Sequence, residues 1–331
     1  MDAGEIRGEE WLEPLAIRRF RVTLALARPL AVPAHRRGVL WRGAFAQVFR
    51  GLVCHDVTLD CAACGLAAAC PYTAIFAPGA RPGRPPIARL REPPRPFVFA
   101  DPCPAEAALP AGRSPGLGLT IIGSAAPLLP YFVVSLRRLG EAGLGRAGAR
   151  FEVERVAALD AAGAAAGEVY VKGGAEVRLA GRSLQACDLR RPEDAGARRV
   201  RVRFVTPTDL RGGEAAGDGA PAFGVLFRRA RDRLGARASF YGEGPVGGDP
   251  RAVAALADTV ETQRAAVRRV ALERTSARTG ERHPVSGLVG EVAYEGAALA
   301  PLMPWLRLAE LVHVGKHATF GNGRIAVEVG G

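Results

Sequence analysis

The sequence predicts an α+β fold built as two halves of one plan. Three observations carry this expectation. Ile17–Leu26 and Arg198–Val205 both alternate polar with apolar residues, the period-2 signature of a half-buried strand. Leu128–Leu139 and Leu299–Leu311 are apolar runs at helical spacing. Each helix-like run passes through a glycine-bearing turn into a further strand, Phe151–Val156 in one half and Ile325–Val329 in the other. The coarse order in each half reads β-α-β-β-α-β, the ferredoxin-like arrangement. A boundary before the second opening strand gives an N-terminal domain over 1–195 and a C-terminal domain over 196–331.

Pro29 and Pro33 end the first strand, and a turn carrying His35-Arg36-Arg37-Gly38 leads into a helix expected over Val39–Val53. Its Leu40, Ala44, Val48 and Leu52 recur at helical spacing. His35 and Arg37 then stand just before a helix N-terminus, where backbone donors favour an anion. Ala77–Pro96, rich in Pro, Gly and Arg, reads as a surface loop, and Phe97–Ala100 and Gly118–Gly123 as short strands. Val169–Val171 and Val177–Leu179 predict a hairpin around Lys172-Gly173-Gly174. In the second half Asp209–Gly219 reads as a polar loop. Ala222–Leu234 and Pro250–Arg264 read as helices, and Val267–Thr275 and Leu288–Tyr294 as strands.

Between the first helix and the loop lies Cys54-x6-Cys61-x2-Cys64-x5-Cys70, followed by Pro71-Tyr72. Four cysteines this close in an intracellular chain suit metal-bound thiolates better than disulfides. The short gap from Cys61 to Cys64 lets one turn offer two sulfurs to one ion, with Cys54 and Cys70 closing a tetrahedron. The expectation is a metal-binding insertion at 54–76 that holds a structural zinc, an iron–sulfur cluster being the alternative. Cys103 and Cys187 are isolated.

The net charge is +12, and basic residues cluster at Arg18–Arg21, Arg198–Arg203, Arg228–Arg233 and Arg268-Arg269. Such a surplus attracts a phosphate backbone without reading its sequence. Aromatic content is 6%, so electrostatics should outweigh base stacking. No apolar run approaches the ~20 residues of a membrane span, and the acidic leader Met1–Trp11 is unlike a signal peptide, which places the chain in the cytoplasm away from any membrane.

Only Lys172 and Lys316 among the 45 basic residues are lysine. Lys316 lies in a glycine-rich loop expected over 313–323, His313-Val314-Gly315-Lys316-His317-Ala318-Thr319-Phe320-Gly321-Asn322-Gly323, with Arg324 after it. A lysine kept there suggests a need for a compact, rotatable cation. Gly315, Gly321 and Gly323 allow close backbone approach to a polyanion. The order is wrong for a Walker loop, since the lysine precedes the glycines at 321 and 323 and no Ser or Thr follows it directly.

Read with Ser286–Gly296 upstream, with Val202–Thr208 and with Leu40–Phe45, this tail resembles the CRISPR pre-crRNA processing endoribonucleases of the repeat-associated mysterious protein (RAMP) superfamily. The resemblance spans most of the chain. It implies binding of CRISPR repeat RNA and its cleavage without a metal, leaving a 2′,3′-cyclic phosphate. Association with CRISPR effector subunits is a further expectation.

Such chemistry needs a base for the 2′-hydroxyl proton, an acid for the leaving 5′-oxygen and a cation for the phosphorane. His35, near where the family carries its histidine, is the favoured base; His313 and His317 are the other proton-transfer candidates, and Lys316 the phosphate stabiliser. Arg36, Arg37, Arg42, Arg282, His283, Gly315, Gly321, Gly323 and Arg324 are candidate RNA contacts. Two rival readings remain: a non-catalytic RAMP subunit that holds guide RNA, and a zinc protein that recruits a partner through its cysteine lobe.

Overall fold

The computed structural model describes residues 8–80, 93–101, 103, 106, 108–145, 147–210, 219–275 and 280–330. Much of the expected loops at Ala77–Pro96 and Asp209–Gly219, and of the leader Met1–Trp11, lies outside these residues. Packing divides the chain into two compact units, one of residues 17–183 with 240–242, the other of the leader, 184–239 and the remaining C-terminal residues.

In chain order the elements are α1 (Gly8–Trp11), β1 (Ile17–Leu26), α2 (Ala34–Val53), α3 (Pro71–Ile75), β2 (Phe97–Ala100), β3 (Gly116–Ile122), α4 (Leu129–Ala142), β4 (Phe151–Leu159), β5 (Ala165–Val171), β6 (Arg199–Thr208), α5 (Phe223–Tyr241), α6 (Pro250–Asp258), β7 (Glu261–Val270), β8 (Glu273–Thr275), β9 (Arg282–Pro284), β10 (Gly287–Glu295), α7 (Leu299–Val312) and β11 (Ile325–Val329).

In the first unit the strands form an antiparallel sheet ordered β2-β3-β1-β4-β5, the ferredoxin-like order with β5 added at one edge. Phe20, Val22 and Leu24 alternate inward from β1. Trp41, Phe45 and Phe49 repeat every four residues along α2 and bury one stripe against them. Phe45 is the hub: the rings of Phe49, Phe76, Phe97, Phe99 and Phe132 lie 5.0 to 6.1 Å from it. The buried stripe thus runs one position beyond Leu40, Ala44, Val48 and Leu52, and Leu52 is 41% exposed.

Two boundaries differ from expectation here. α2 begins at Ala34, with Pro33 as its N-cap, so His35 to Gly38 form its first turn and not a preceding loop. The inward position one turn before Trp41 is Arg37, whose charge hides the helical period in the sequence. β5 pairs with β4 around the Asp160–Ala164 turn; the expected turn at Lys172-Gly173-Gly174 does form, and the Arg178 N–H donates to the Val169 carbonyl at 2.9 Å, but Val177–Leu179 is no strand.

In the second unit the sheet order is β11-β6-β10-β7, again the ferredoxin-like order. β6 buries Val200, Val202 and Phe204 and exposes Arg199, Arg201 and Arg203. Pro250–Arg264 is not one helix. α6 stops at Asp258 and β7 runs from Glu261, because Ala265 and Val267 fit a strand as readily as a helix and register against β10 decides the matter. β8 and β9 pair beyond β7 and β10, so this part is one long β-arm.

The second unit also begins earlier than residue 196. Leu184, Ala186 and Leu189 are buried in it, and Asp194 pairs with Arg307 of α7 at 2.7 Å, both nearly inaccessible. Residues 8–16 join the same unit, with Gly247 donating to the Trp11 carbonyl at 2.9 Å and Glu243 to that of Pro14 at 3.0 Å.

Candidate functional site

The terminal loop connects α7 to β11 and is closed on itself. The Val314 N–H donates to the Gly323 carbonyl at 2.7 Å, the Gly323 N–H to the Pro207 carbonyl at 3.0 Å, and the Lys316 N–H to the Asp209 carbonyl at 3.0 Å. Gly323 has φ 72°, and an added Cβ would lie 1.8 Å from the Val314 carbonyl oxygen; at Gly315 it would lie 2.3 Å from that of Asp209. These glycines are required by the protein's own backbone. Gly321 and Gly323 are buried, while Gly315 stays partly exposed.

His313 ends α7 with φ 61° and is 2% exposed. Its Nδ1 lies 3.0 Å from the Asn322 carbonyl oxygen, which only accepts, so Nδ1 carries the proton. Burial first, then the Arg324 and Arg233 guanidinium groups, push its pKa down to about 3. A neutral, buried imidazole of that basicity is a poor proton acceptor, and in this structure His313 braces the loop neck. His317, at φ 63°, is half-buried beside the Phe320 ring, and Lys316 projects into solvent.

Two contacts tie the β-arm to this loop. The Arg274 guanidinium lies 4.7 Å from the centre of the Phe320 ring, and Asn322 Nδ2 donates to the Val285 carbonyl at 3.0 Å. Arg282 and His283 sit in this arm, Arg282 exposed and 3.9 Å from Glu273, His283 3.7 Å from Glu281. The second unit therefore gathers Lys316, His317, Arg324, Arg274, Arg282 and His283 around one loop and one β-arm.

In the first unit, His35 and Arg36 are exposed in the first turn of α2, on the helix end whose N–H groups favour an anion. Arg37 is not available to RNA. It is fully buried, its Nε donates to Asp101 Oδ2 at 3.0 Å, and its Nη2 donates to the Cys103 carbonyl. Where an RNA contact was expected, this structure shows a buried ion pair that holds the helix start to the segment after β2. Arg42 is half-buried, with its guanidinium 5.4 Å from the centre of the Phe76 ring.

Cys54, Cys61, Cys64 and Cys70 line one cavity of about 230 Å³ with His55, Asp56 and Tyr72 among the other walls. All four are free thiols, and among the described residues no three metal-ligating side chains stand at coordination spacing. The metal-binding character of the insertion is therefore not visible in this arrangement.

Residues 15–182 match the N-terminal domain family AF_1859_N, and residues 202–325 match the CRISPR-associated endoribonuclease Cas6. Over residues 202–325 the chain belongs to the Cas6 family of CRISPR endoribonucleases. A Thermus thermophilus Cas6 product complex is similar to it at 17% identity, covering 95% of this chain and 99% of that one with a TM-score of 0.51. A second Cas6 product complex gives the same identity, coverage and score. A partial complex of a Cas6-RT-Cas1 protein with Cas2 is similar at 11% identity over 96% of this chain and 46% of that one, with a TM-score of 0.55. At such identities the likeness speaks for the fold. No curated protein matches.

The two faces of the second sheet differ in what they carry. Phe204 and Tyr294 point to the helix side, and the opposite face carries Arg199 paired with Glu295 at 2.8 Å and Arg201 paired with Glu328 at 3.9 Å. Two of the three arginines of β6 thus face neighbouring glutamates. Arg274 and Asn322 were not singled out in the sequence; the one signal was their place in a basic arm and a glycine-rich loop. Among the described residues no helix is long and apolar enough to cross a membrane.

Proposed function

We propose that this Cas6-family chain matures CRISPR RNA in the cytoplasm by binding the repeat RNA of the precursor transcript and cutting it without a metal ion. The ribose 2′-hydroxyl loses its proton to a base and attacks the adjacent phosphorus. The 5′-oxygen leaves and takes a proton, so the products are a 2′,3′-cyclic phosphate and a 5′-hydroxyl. The observation that carries the residue assignment is the contrast between His35, exposed on the first turn of α2, and His313, buried with a pKa of about 3. His35 is assigned as the base. In the second unit, Lys316 and Arg324 contact RNA phosphates beside Arg282 and His283, and His317 is the histidine of the terminal loop with access to a proton-transfer role. Arg36 and Arg42 supply further charge at α2. CRISPR effector subunits are the second partner class.

Incubating the protein with its own repeat RNA in EDTA tests this reading. One specific cut, ending in a cyclic phosphate or its hydrolysis product, is expected. Tight binding without a cut would instead make the chain an RNA-holding RAMP subunit.

A further inference from the structure

The cysteine lobe takes no part in that chemistry. We infer that Cys54, Cys61, Cys64 and Cys70 bind one zinc ion as a closed tetrathiolate site that holds the lobe in shape. All four thiols face one cavity of about 230 Å³, whereas Cys103 and Cys187 stand outside it. From Cys54 to Cys70 only Ala67 is buried, while Val57 is 55% and Leu66 59% exposed. A segment so poor in buried apolar surface needs a covalent or metal crosslink in place of a core.

The local backbone is arranged for one. Asp60 Oδ1 accepts from the Ala62 N–H at 2.8 Å and starts the turn carrying Cys61, and the Cys64 N–H reaches the Cys61 carbonyl at 3.4 Å. A second turn follows directly, from Cys64 to Ala67 at 3.0 Å. Cys61 and Cys64 thus stand on consecutive turns, and both line the cavity. The ends of the lobe are fixed independently: Cys54 follows α2, and Cys70 precedes α3, which is followed by Phe76 in the aromatic core. Between those ends the chain is held by short turns and by bonds from Arg50 to the Leu59 carbonyl and from Thr73 to the Ala67 carbonyl, with no buried core to resist the sulfurs drawing together to ligand distance.

Charge favours the same occupant. Zinc with four thiolates carries a net charge of −2, and a cation beside it offsets the excess. Arg50 stands there, close enough to Cys54 and Cys61 to interact with their charge, and donates to the Leu59 carbonyl at 2.9 Å. With four protein ligands no position is open to water or RNA, so the ion is structural and the cleavage reaction keeps its independence of metal.

The test uses full-length protein purified reduced from zinc-supplied cells. Elemental analysis is expected to find one zinc per chain. Chelated wild type titrated with Co²⁺ should give thiolate charge-transfer and tetrahedral visible absorbance that saturates at one ion. Bound zinc should shield four of the six thiols from alkylation, leaving Cys103 and Cys187 to react. Cys64→Ser should weaken metal binding by more than about tenfold, and Cys187→Ser should not change it. If Cys64→Ser fails to fold, the wild-type alkylation pattern still decides. Absence of zinc together with no cobalt absorbance would overturn the inference, as would equal reactivity of all six thiols or the visible absorbance of an iron–sulfur cluster.

Discussion

His313 and Asn322 close the neck of the terminal loop, the protonated Nδ1 of the first lying 3.0 Å from the carbonyl oxygen of the second. Burial, Arg324 and Arg233 keep this imidazole neutral down to a pKa of about 3, below the ~6.5 of an unfolded chain. The unfolded state therefore binds the extra proton first. The stability that His313 contributes is complete above about pH 6.5 and is lost as pH falls toward about 3, at roughly 1.4 kcal/mol per unit. His313→Gln keeps a donor and removes the titration. Denaturant unfolding from pH 7 to 4.5 should show a shallower pH dependence for the variant; parallel curves would contradict the buried neutral state.

Gly323→Ala should be far more costly than its one methyl suggests. Its Cβ would lie 1.8 Å from the Val314 oxygen at φ 72°, so the neck must open. Gly148 has φ 59° and open space around it, and Gly148→Ala pays only the left-handed backbone cost of about 1–2 kcal/mol. Gly323→Ala should lose several-fold more stability than this control and most RNA affinity. Equal midpoints in thermal unfolding would show that the neck yields easily.

Much of this architecture was legible in the residues. β1, β6 and β11 alternate plainly, and the repeated helix, glycine turn and strand disclosed two copies of one plan. Buried charge was not legible. Arg37 with Asp101 and Arg307 with Asp194 form pairs between distant segments, and an arginine in a sequence reads as surface whether or not a carboxylate awaits it. The same blindness moved the start of α2 past His35. β7 failed for another reason, since its apolar residues satisfy both periods and only register against β10 separates them. Gly315 and Gly323 were recognised, but not the reason for them, because the carbonyls they approach belong to Asp209 and Val314.

Arg36 and Arg37 are neighbours with opposite roles. Arg36→Ala should leave stability within about 0.5 kcal/mol and lower the salt dependence of RNA binding. Arg37→Ala strands Asp101 in the core and should cost about 3–5 kcal/mol. If Arg37→Ala folds as wild type and alone flattens the salt slope, the ion pair is not what holds α2.

Lys316→Ala should weaken repeat-RNA binding and reduce the log–log salt slope by about one counterion. Lys316→Arg is the sharper comparison. A compact rotatable cation predicts incomplete rescue by arginine; full recovery of binding and cleavage would reduce Lys316 to a generic charge.

The central claim, that His35 transfers a proton in RNA cleavage, is tested most directly by single-turnover cleavage of repeat RNA by His35→Ala in EDTA, with the dissociation constant measured on the same preparation. A proton-transfer group acts in the transition state and adds little to ground-state binding. The predicted result is a rate lowered about 100- to 10,000-fold with RNA bound nearly as tightly as by wild type. A variant that cuts within a few-fold of wild type would contradict the claim, and a dead His317→Ala beside it would move the chemistry to the terminal loop.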